Sequence, residues 1–258
     1  MKYFVVDAFT DQLFKGNQAG VCLVDSFIDT VAMQNIATEN NLSETAFITP
    51  RGNEFDLRWF TPKIEIDLCG HATLASAFII YNYVNKNINT MRFHTLSGVL
   101  EVIKNDEMYE MDFPSRKPQK IQHTSLMEQA LGCAVTEAYQ SRDCLLLVEN
   151  ENAVQELCPN IELLRQIPNS FAVVVTSKGD NVDFVSRVFA PNAGITEDPV
   201  TGSSHSTLIP FWAERLQKNR MTAKQLSKRG GTLYCENCDE RVKISGNAVL
   251  YLSGEIKY

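Results

Sequence analysis

Two stretches of this chain rhyme at a fixed distance. Phe60-Thr61-Pro62 leads into Cys69-Gly70-His71-Ala72-Thr73-Leu74, and Phe189-Ala190-Pro191 leads into Thr201-Gly202-Ser203-Ser204-His205. The phenylalanines differ by 189 − 60 = 129 positions and the prolines by 191 − 62 = 129, half of the 258 residues. Arg58 and Arg187 keep the same offset, while Asp56 and Asp183 differ by 127. Each stretch reads as a strand-like run, a Pro-marked loop, and a Gly followed by residues suited to open a helix. A chain of two such halves is expected to fold with pseudo-twofold symmetry and a cleft between the halves. Helix N-termini present unsatisfied N–H donors and a partial positive charge, so the expected ligand is an anion, a small carboxylate.

The length allows two domains of moderate size. The formal charge is 24 − 31 = −7, with no long basic run, which excludes nucleic acid as the expected partner. The longest apolar stretch, Leu74 to Val84, is about half of the roughly 20 residues that a bilayer span needs, so no membrane segment is expected. Met1-Lys2-Tyr3-Phe4-Val5-Val6-Asp7 meets an acid too early for a secretory signal and reads as a first strand, in a cytoplasmic protein. Seven cysteines without dense spacing are expected to be mostly reduced and packed. Cys235-Glu236-Asn237-Cys238 lacks the second ligand pair of a structural zinc site, and its flanks resemble two strands, so the pair reads as hairpin-turn residues. No structural zinc site is expected.

Alternation and β-branched residues predict strands near 3–8, 20–24, 45–48, 55–60, 92–95, 99–103 and 109–112 in the first half. The second half repeats the plan near 143–148, 172–176, 183–189, 232–234, 242–245 and 248–252. A helix is expected over 30–41 with Asp29 as its cap and Met33, Ile36 and Ala37 on one face. Residues 71–84 are apolar nearly all round, the pattern of a helix buried on every side within a curved antiparallel sheet. Its counterpart is Ser203–Lys218, which Pro210 should kink or interrupt. Pro114-Ser115-Arg116-Lys117-Pro118 is the linker candidate, placing the domains at 1–114 and 115–258, with the last strand able to return to the first domain.

Glu44, in Asn41-Leu42-Ser43-Glu44-Thr45-Ala46-Phe47, stands after a helix and before a strand, where apolar walls would desolvate it as a general acid/base. A solvated loop glutamate is the alternative. The equivalent place in the second half, Asn169-Ser170-Phe171-Ala172, holds no acid, so a symmetric cleft would have one base. Cys69 at a helix start is a second candidate base, or simply a packed thiol. Its counterpart is Thr201, which disfavours a two-thiol racemase. His71 reads as a proton shuttle or a capping residue, Asp198 as a substrate-orienting acid or an Asx turn before Pro199, and Ser203 as an N-cap or a carboxylate grip. There is no recognised Ser-His-Asp order, no P-loop, no dinucleotide fingerprint and no H-E-x-x-H.

Three segments together, 41–47, Asp67-Leu68-Cys69-Gly70-His71-Ala72-Thr73-Leu74-Ala75 and Glu197-Asp198-Pro199-Val200-Thr201-Gly202-Ser203, resemble the signatures of the PhzF-like phenazine-biosynthesis isomerase family. Asp7-Ala8-Phe9-Thr10, Gly16-Asn17, Arg229-Gly230-Gly231 and 242–246 extend the resemblance along the whole chain, with Gln18 standing where many members have proline. The resemblance implies an α+β, diaminopimelate-epimerase-like fold: two pseudo-symmetric domains, each a curved mostly antiparallel sheet wrapped around a central helix. It implies Glu44 as general acid/base, with His71 and Asp198 as its partners, and no cofactor. Gly70, Ala72, Gly202, Ser203 and Ser204 are expected to bind the substrate. It further implies a homodimer and a cofactor-independent isomerase of a small cyclic or unsaturated carboxylic acid. The rivals are an epimerase or racemase using Cys69, and a non-catalytic binder of small acids.

Overall fold

A computed structural model describes all 258 residues. The chain divides into two compact units, one formed by Met1–Asp112 with Ser245–Tyr258 and the other by Phe113–Ile244.

In the first unit, β1 (Lys2–Ala8) pairs antiparallel with β2 (Asn17–Leu23), and β2 runs parallel to β3 (Glu44–Arg51). β3 is antiparallel to β4 (Glu54–Phe60), which carries the short β5 (Glu65–Ile66) and lies parallel to β6 (Thr90–Thr95). β7 (Gly98–Asn105) and β8 (Met108–Pro114) follow as antiparallel neighbours. Helix α1 (Thr30–Asn40) forms where expected: Asp29 Oδ2 accepts the N–H groups of Val31 and Ala32, and Asn41 closes the helix in the left-handed conformation.

Helix α2 (Gly70–Ile79) is buried at every position except Phe78 and packs against β1, β2, β3 and β7. Its apolar sequence is what such a surrounding requires. The two hydroxyls inside it are satisfied locally, Thr73 Oγ1 donating to Cys69 O at 2.5 Å and Ser76 Oγ to Ala72 O at 2.7 Å. Helical chain continues beyond Ile79 as a wider turn over Ile80–Val84, closed by Asn85 N–H to Ile80 O at 2.9 Å.

The second unit repeats the order. β9 (Gln119–Ile121), β10 (Glu137–Gln140) and β11 (Cys144–Leu147) are antiparallel neighbours, β11 runs parallel to β12 (Val173–Lys178), and β12 is antiparallel to β13 (Phe184–Ala190). β13 carries β14 (Ile195–Asp198) and lies parallel to β15 (Arg220–Gln225), which pairs antiparallel with β16 (Gly231–Cys238). β17 (Arg241–Gly246) leads back to the first unit, where β18 (Ala248–Glu255) pairs antiparallel with β1. Short helices α3 (Ser125–Leu131), α4 (Glu151–Gln155) and α5 (Ile161–Leu164) cover an apolar cluster built on Leu146, Val173, Val175, Val185 and Phe189. Each such side chain contributes roughly 1.5–3 kcal/mol on full burial. No helix is long and apolar enough to cross a membrane.

Three sequence expectations are corrected. The central helix of the second unit, α6, spans His205–Leu216 with Ser204 at its N-cap, so Ser203 lies one residue before the cap. Pro210 sits inside α6 without interrupting it. A proline at position i leaves the carbonyl at i−4 without its helical donor; here that is Ser206 O, and the Arg116 N–H fills the vacancy at 2.8 Å. The expected linker is thereby pinned to the helix. Cys235 and Cys238 both lie in β16, and the turn falls at Asp239-Glu240, where Asp239 takes the positive φ of 59°.

Candidate active site

The parallel pairing of β2 and β3 starts both strands at the same end of the first unit's sheet, with Ala19 opposite Glu44. Asn17 opens β2 and Glu44 opens β3, and both are buried. The β1–β2 connection that delivers Asn17 turns at Gly16, with φ +65° and the Ala8 carbonyl oxygen 2.2 Å from where a Cβ would stand. Only glycine fits there.

The start of α2 supplies the remaining groups. Cys69 is the extended N-cap residue and His71 lies in the first turn, its side chain 6% exposed. His71 Nε2 is 2.9 Å from Glu44 Oε2, an ion pair when the ring is protonated. On its other side His71 Nδ1 is 3.3 Å from Asn17 Nδ2 and 3.5 Å from Cys69 Sγ. Glu44 and His71 meet here in space, and Asn17 and Cys69 meet the same ring. Asn17 was no candidate from the sequence, and its only signal there was the Gly16-Asn17 pair.

The electrostatics follow from burial and neighbours. Burial pushes the Cys69 thiol up, and the Glu44 charge pushes it further, so the sulfur stays protonated at neutral pH. For His71, burial alone would lower the pKa, but its couplings to Cys69 and Glu44 outweigh burial and raise the value well above the usual one. The ligand atoms of Glu44, Cys69 and His71 all lie within 4.8 Å of one another, a donor set that could also take a thiophilic divalent ion.

The predicted residues of the second unit form a separately braced segment. Asp198 Oδ2 accepts the Thr201 hydroxyl at 2.6 Å. Buried Gln225 clamps the same loop, donating from Nε2 to Asp198 O at 2.7 Å and accepting the Thr201 N–H at 2.9 Å. Ser204 Oγ donates to Thr201 O at 2.9 Å, and Ser227 Oγ donates to Pro199 O at 2.7 Å. His205 is fully buried with Nδ1 2.9 Å from Thr201 O, the geometry of a neutral ring donating to a carbonyl. Its pKa is pulled down to about 4 by that burial, with the Thr201 bond opposing the shift. His205 is thus structural. Ser203, freed from capping, receives a hydrogen bond at 3.2 Å from Arg142 Nη2.

The strand registers locate the asymmetry between the units. Thr45 pairs with Phe60 and Val173 pairs with Phe189, so the residue equivalent to Glu44 is Ala172. One unit has the acid and the other does not.

A family model described as phenazine biosynthesis-like protein, PhzC-PhzF, matches residues 6–254. An uncharacterized isomerase of Pseudomonas aeruginosa is 45% identical over 253 residues, covering 98% of this chain and 97% of its own. A PhzF-family phenazine biosynthesis protein of Enterococcus faecalis has a crystal structure that matches with a TM-score of 0.98 at 46% identity, over 100% of this chain and 99% of that one. A PhzC/PhzF protein of Clostridium difficile matches with a TM-score of 0.96 at 49% identity, over 100% of both chains. The duplicated α+β architecture and the match along nearly the whole sequence lead to one conclusion: the chain belongs to the PhzC-PhzF phenazine biosynthesis-like family, an enzyme of the isomerase class.

Proposed function

We propose that this protein moves a proton between carbons of a small cyclic or unsaturated carboxylic acid, with Glu44 as the general acid/base. The observation that supports this most is the buried contact of Glu44 with His71 at 2.9 Å. A carboxylate desolvated at a strand start, beside a ring that holds a proton, can take a proton from carbon and return it elsewhere. Positioned proton transfer of this kind contributes about 10² to 10⁴ in rate.

In this reading His71 tunes and orients Glu44, and Asn17 fixes the ring from its far side. The N–H groups of Gly70–Ala72 at the start of α2 bind the acid and offset the negative charge that develops on its enolate. In the second unit, Asp198 on the loop that Gln225 braces and Gly202–Ser204 are assigned to substrate binding by the family resemblance. Cys69 is a poor second base, because its thiol is buried and its counterpart is Thr201. Two-thiol racemisation is therefore disfavoured, and side-chain proton transfer needs no cofactor.

The test is solvent-deuterium exchange into a panel of small cyclic and unsaturated carboxylic acids, each first shown to bind. Label on carbon supports the reading. Binding without label in every acid would favour a non-catalytic small-acid binder instead.

A further inference from the structure

Arg116 and Arg142 are the unexplained charges of the second unit. Arg142 grips the buried carboxylate of Asp143 through two bonds, Nε to Oδ1 at 2.9 Å and Nη2 to Oδ2 at 2.8 Å. The same Nη2 reaches Ser203 Oγ at 3.2 Å, and the guanidinium lies 4.7 Å from the centroid of the Phe171 ring, which holds its plane. Arg116 is anchored at the first turn of α6 by its backbone bond to Ser206 O. Its Nη1 is buried yet meets no hydrogen-bond acceptor. Both arginines meet the start of α6, Arg116 through Ser206 O and Arg142 through Ser203 Oγ three residues earlier; burial, then the Arg142 charge, lowers the Arg116 pKa, and Asp143 opposes this in part.

The one carboxylate beside these two guanidinium groups is engaged by Arg142 through both of its oxygens. The set has a net charge of +1 inside a chain of net charge −7. A buried N–H of a cation without an acceptor is costly in a folded protein, and such residual misfit concentrates where a ligand completes the site. Forked guanidinium donors match the geometry of an oxyanion.

We propose that Arg116, Arg142 and Ser203 form a binding site for a doubly charged oxyanion, so that the natural ligand carries either a phosphate-type group or two carboxylates. This deepens the reading of Ser203 as a substrate-binding residue and rests on that reading for its link to catalysis. The anion site itself stands on the second unit alone.

The experiment follows thermal unfolding of the whole protein with inorganic phosphate, malonate or acetate at constant ionic strength. Phosphate or malonate, but not acetate, should raise Tm, and whichever acts more strongly identifies the kind of dianion. Arg116→Gln should weaken the affinity for that anion about tenfold or more, as expected for loss of a charge-assisted hydrogen bond. Without anion this variant should unfold cooperatively at a Tm no lower than the parent, because it loses an unpaired cation beside another. Arg116→Lys should restore part of the effect. A merely structural Arg116 would instead lower the basal Tm and leave the anion-induced shift intact, which overturns the proposal, as does the absence of any shift in the parent. Glu44→Gln should keep the full shift. An anion site lost in Arg116→Gln with no deuterium exchange in any acid leaves the site standing and removes the proton-transfer reading; exchange with an unaltered anion shift does the reverse.

Discussion

Arg58 and Arg187, 187 − 58 = 129 residues apart, make the same ion pair in the two units. Arg58 Nε is 2.7 Å from Glu65 Oε1, and Arg187 Nε is 2.7 Å from Glu197 Oε1. Each guanidinium also lies 5.2 Å from the centroid of a phenylalanine ring, Phe60 in one case and Phe189 in the other. The glutamates differ by 197 − 65 = 132, as do Gly70 and Gly202. Three extra residues therefore enter the second unit between Pro191 and Glu197, where a short 3₁₀ turn spans Pro191–Ala193. The pair fastens the short strand that leads into each central helix, β5 to β4 and β14 to β13.

The two copies should differ in cost. Arg187 Nη1 also donates to the carbonyls of Val154, Gln155 and Leu157, whereas Arg58 adds only the Thr30 hydroxyl. Arg187→Met is expected to destabilise by about 3 kcal/mol and Arg58→Met by about 1 kcal/mol less, since three backbone carbonyls rather than one hydroxyl lose their donor. Urea unfolding of the two variants measures the difference.

Gly16→Ala should be among the most damaging single methyl additions. The backbone φ of +65° is strained for alanine, and its Cβ would stand 2.2 Å from the Ala8 carbonyl oxygen. A loss of about 3 kcal/mol is expected, with a displaced Asn17 and reduced exchange activity. Near-normal stability would show that the turn can relax without moving Asn17.

The two buried histidines should bend the pH dependence of stability in opposite senses. His205 ionises near pH 4 in the folded state against 6.5 when unfolded, so the unfolded chain binds more protons between these values. Acidification from pH 6.5 to 4 should cost about 3 kcal/mol through this residue, and His205→Gln should flatten that limb. His71 has a folded pKa raised above 6.5. Its contribution is full below pH 6.5 and fades as the pH rises through the folded value. Chemical denaturation across the pH range, with His71→Gln compared with the parent, reads both limbs.

Cys69→Ala should leave exchange within about tenfold of the parent, because a buried protonated thiol supplies no base. Loss of all activity in this variant, with the fold intact, would support the single-thiol epimerase alternative.

Much of this architecture was legible because a duplicated chain writes its symmetry into its sequence. The offset of 129, the apolar run of α2 and the strand patterns each point to the same two-unit plan, and the relatives' structures share it. Elements with weak patterning escaped notice. β15 reads Arg-Met-Thr-Ala-Lys-Gln, and β9 and β10 are short and mostly polar, so their pairing depends on neighbours rather than on periodicity. Pro210 looked like an interruption because sequence alone does not show that Arg116 N–H serves the freed carbonyl. At the site, Glu44 and His71 stood out within motifs. Asn17 did not, since its role depends on β2 and β3 starting together. Arg116 was hidden inside a stretch whose prolines suggested a linker.

The central claim is that Glu44 moves the proton. Solvent-deuterium incorporation into a carboxylic acid turned over by the parent protein, repeated with Glu44→Gln, tests it most directly. The account predicts a fall of about 10² to 10⁴ in exchange rate with ligand binding retained. Exchange at the parent rate in a folded Glu44→Gln protein would contradict it.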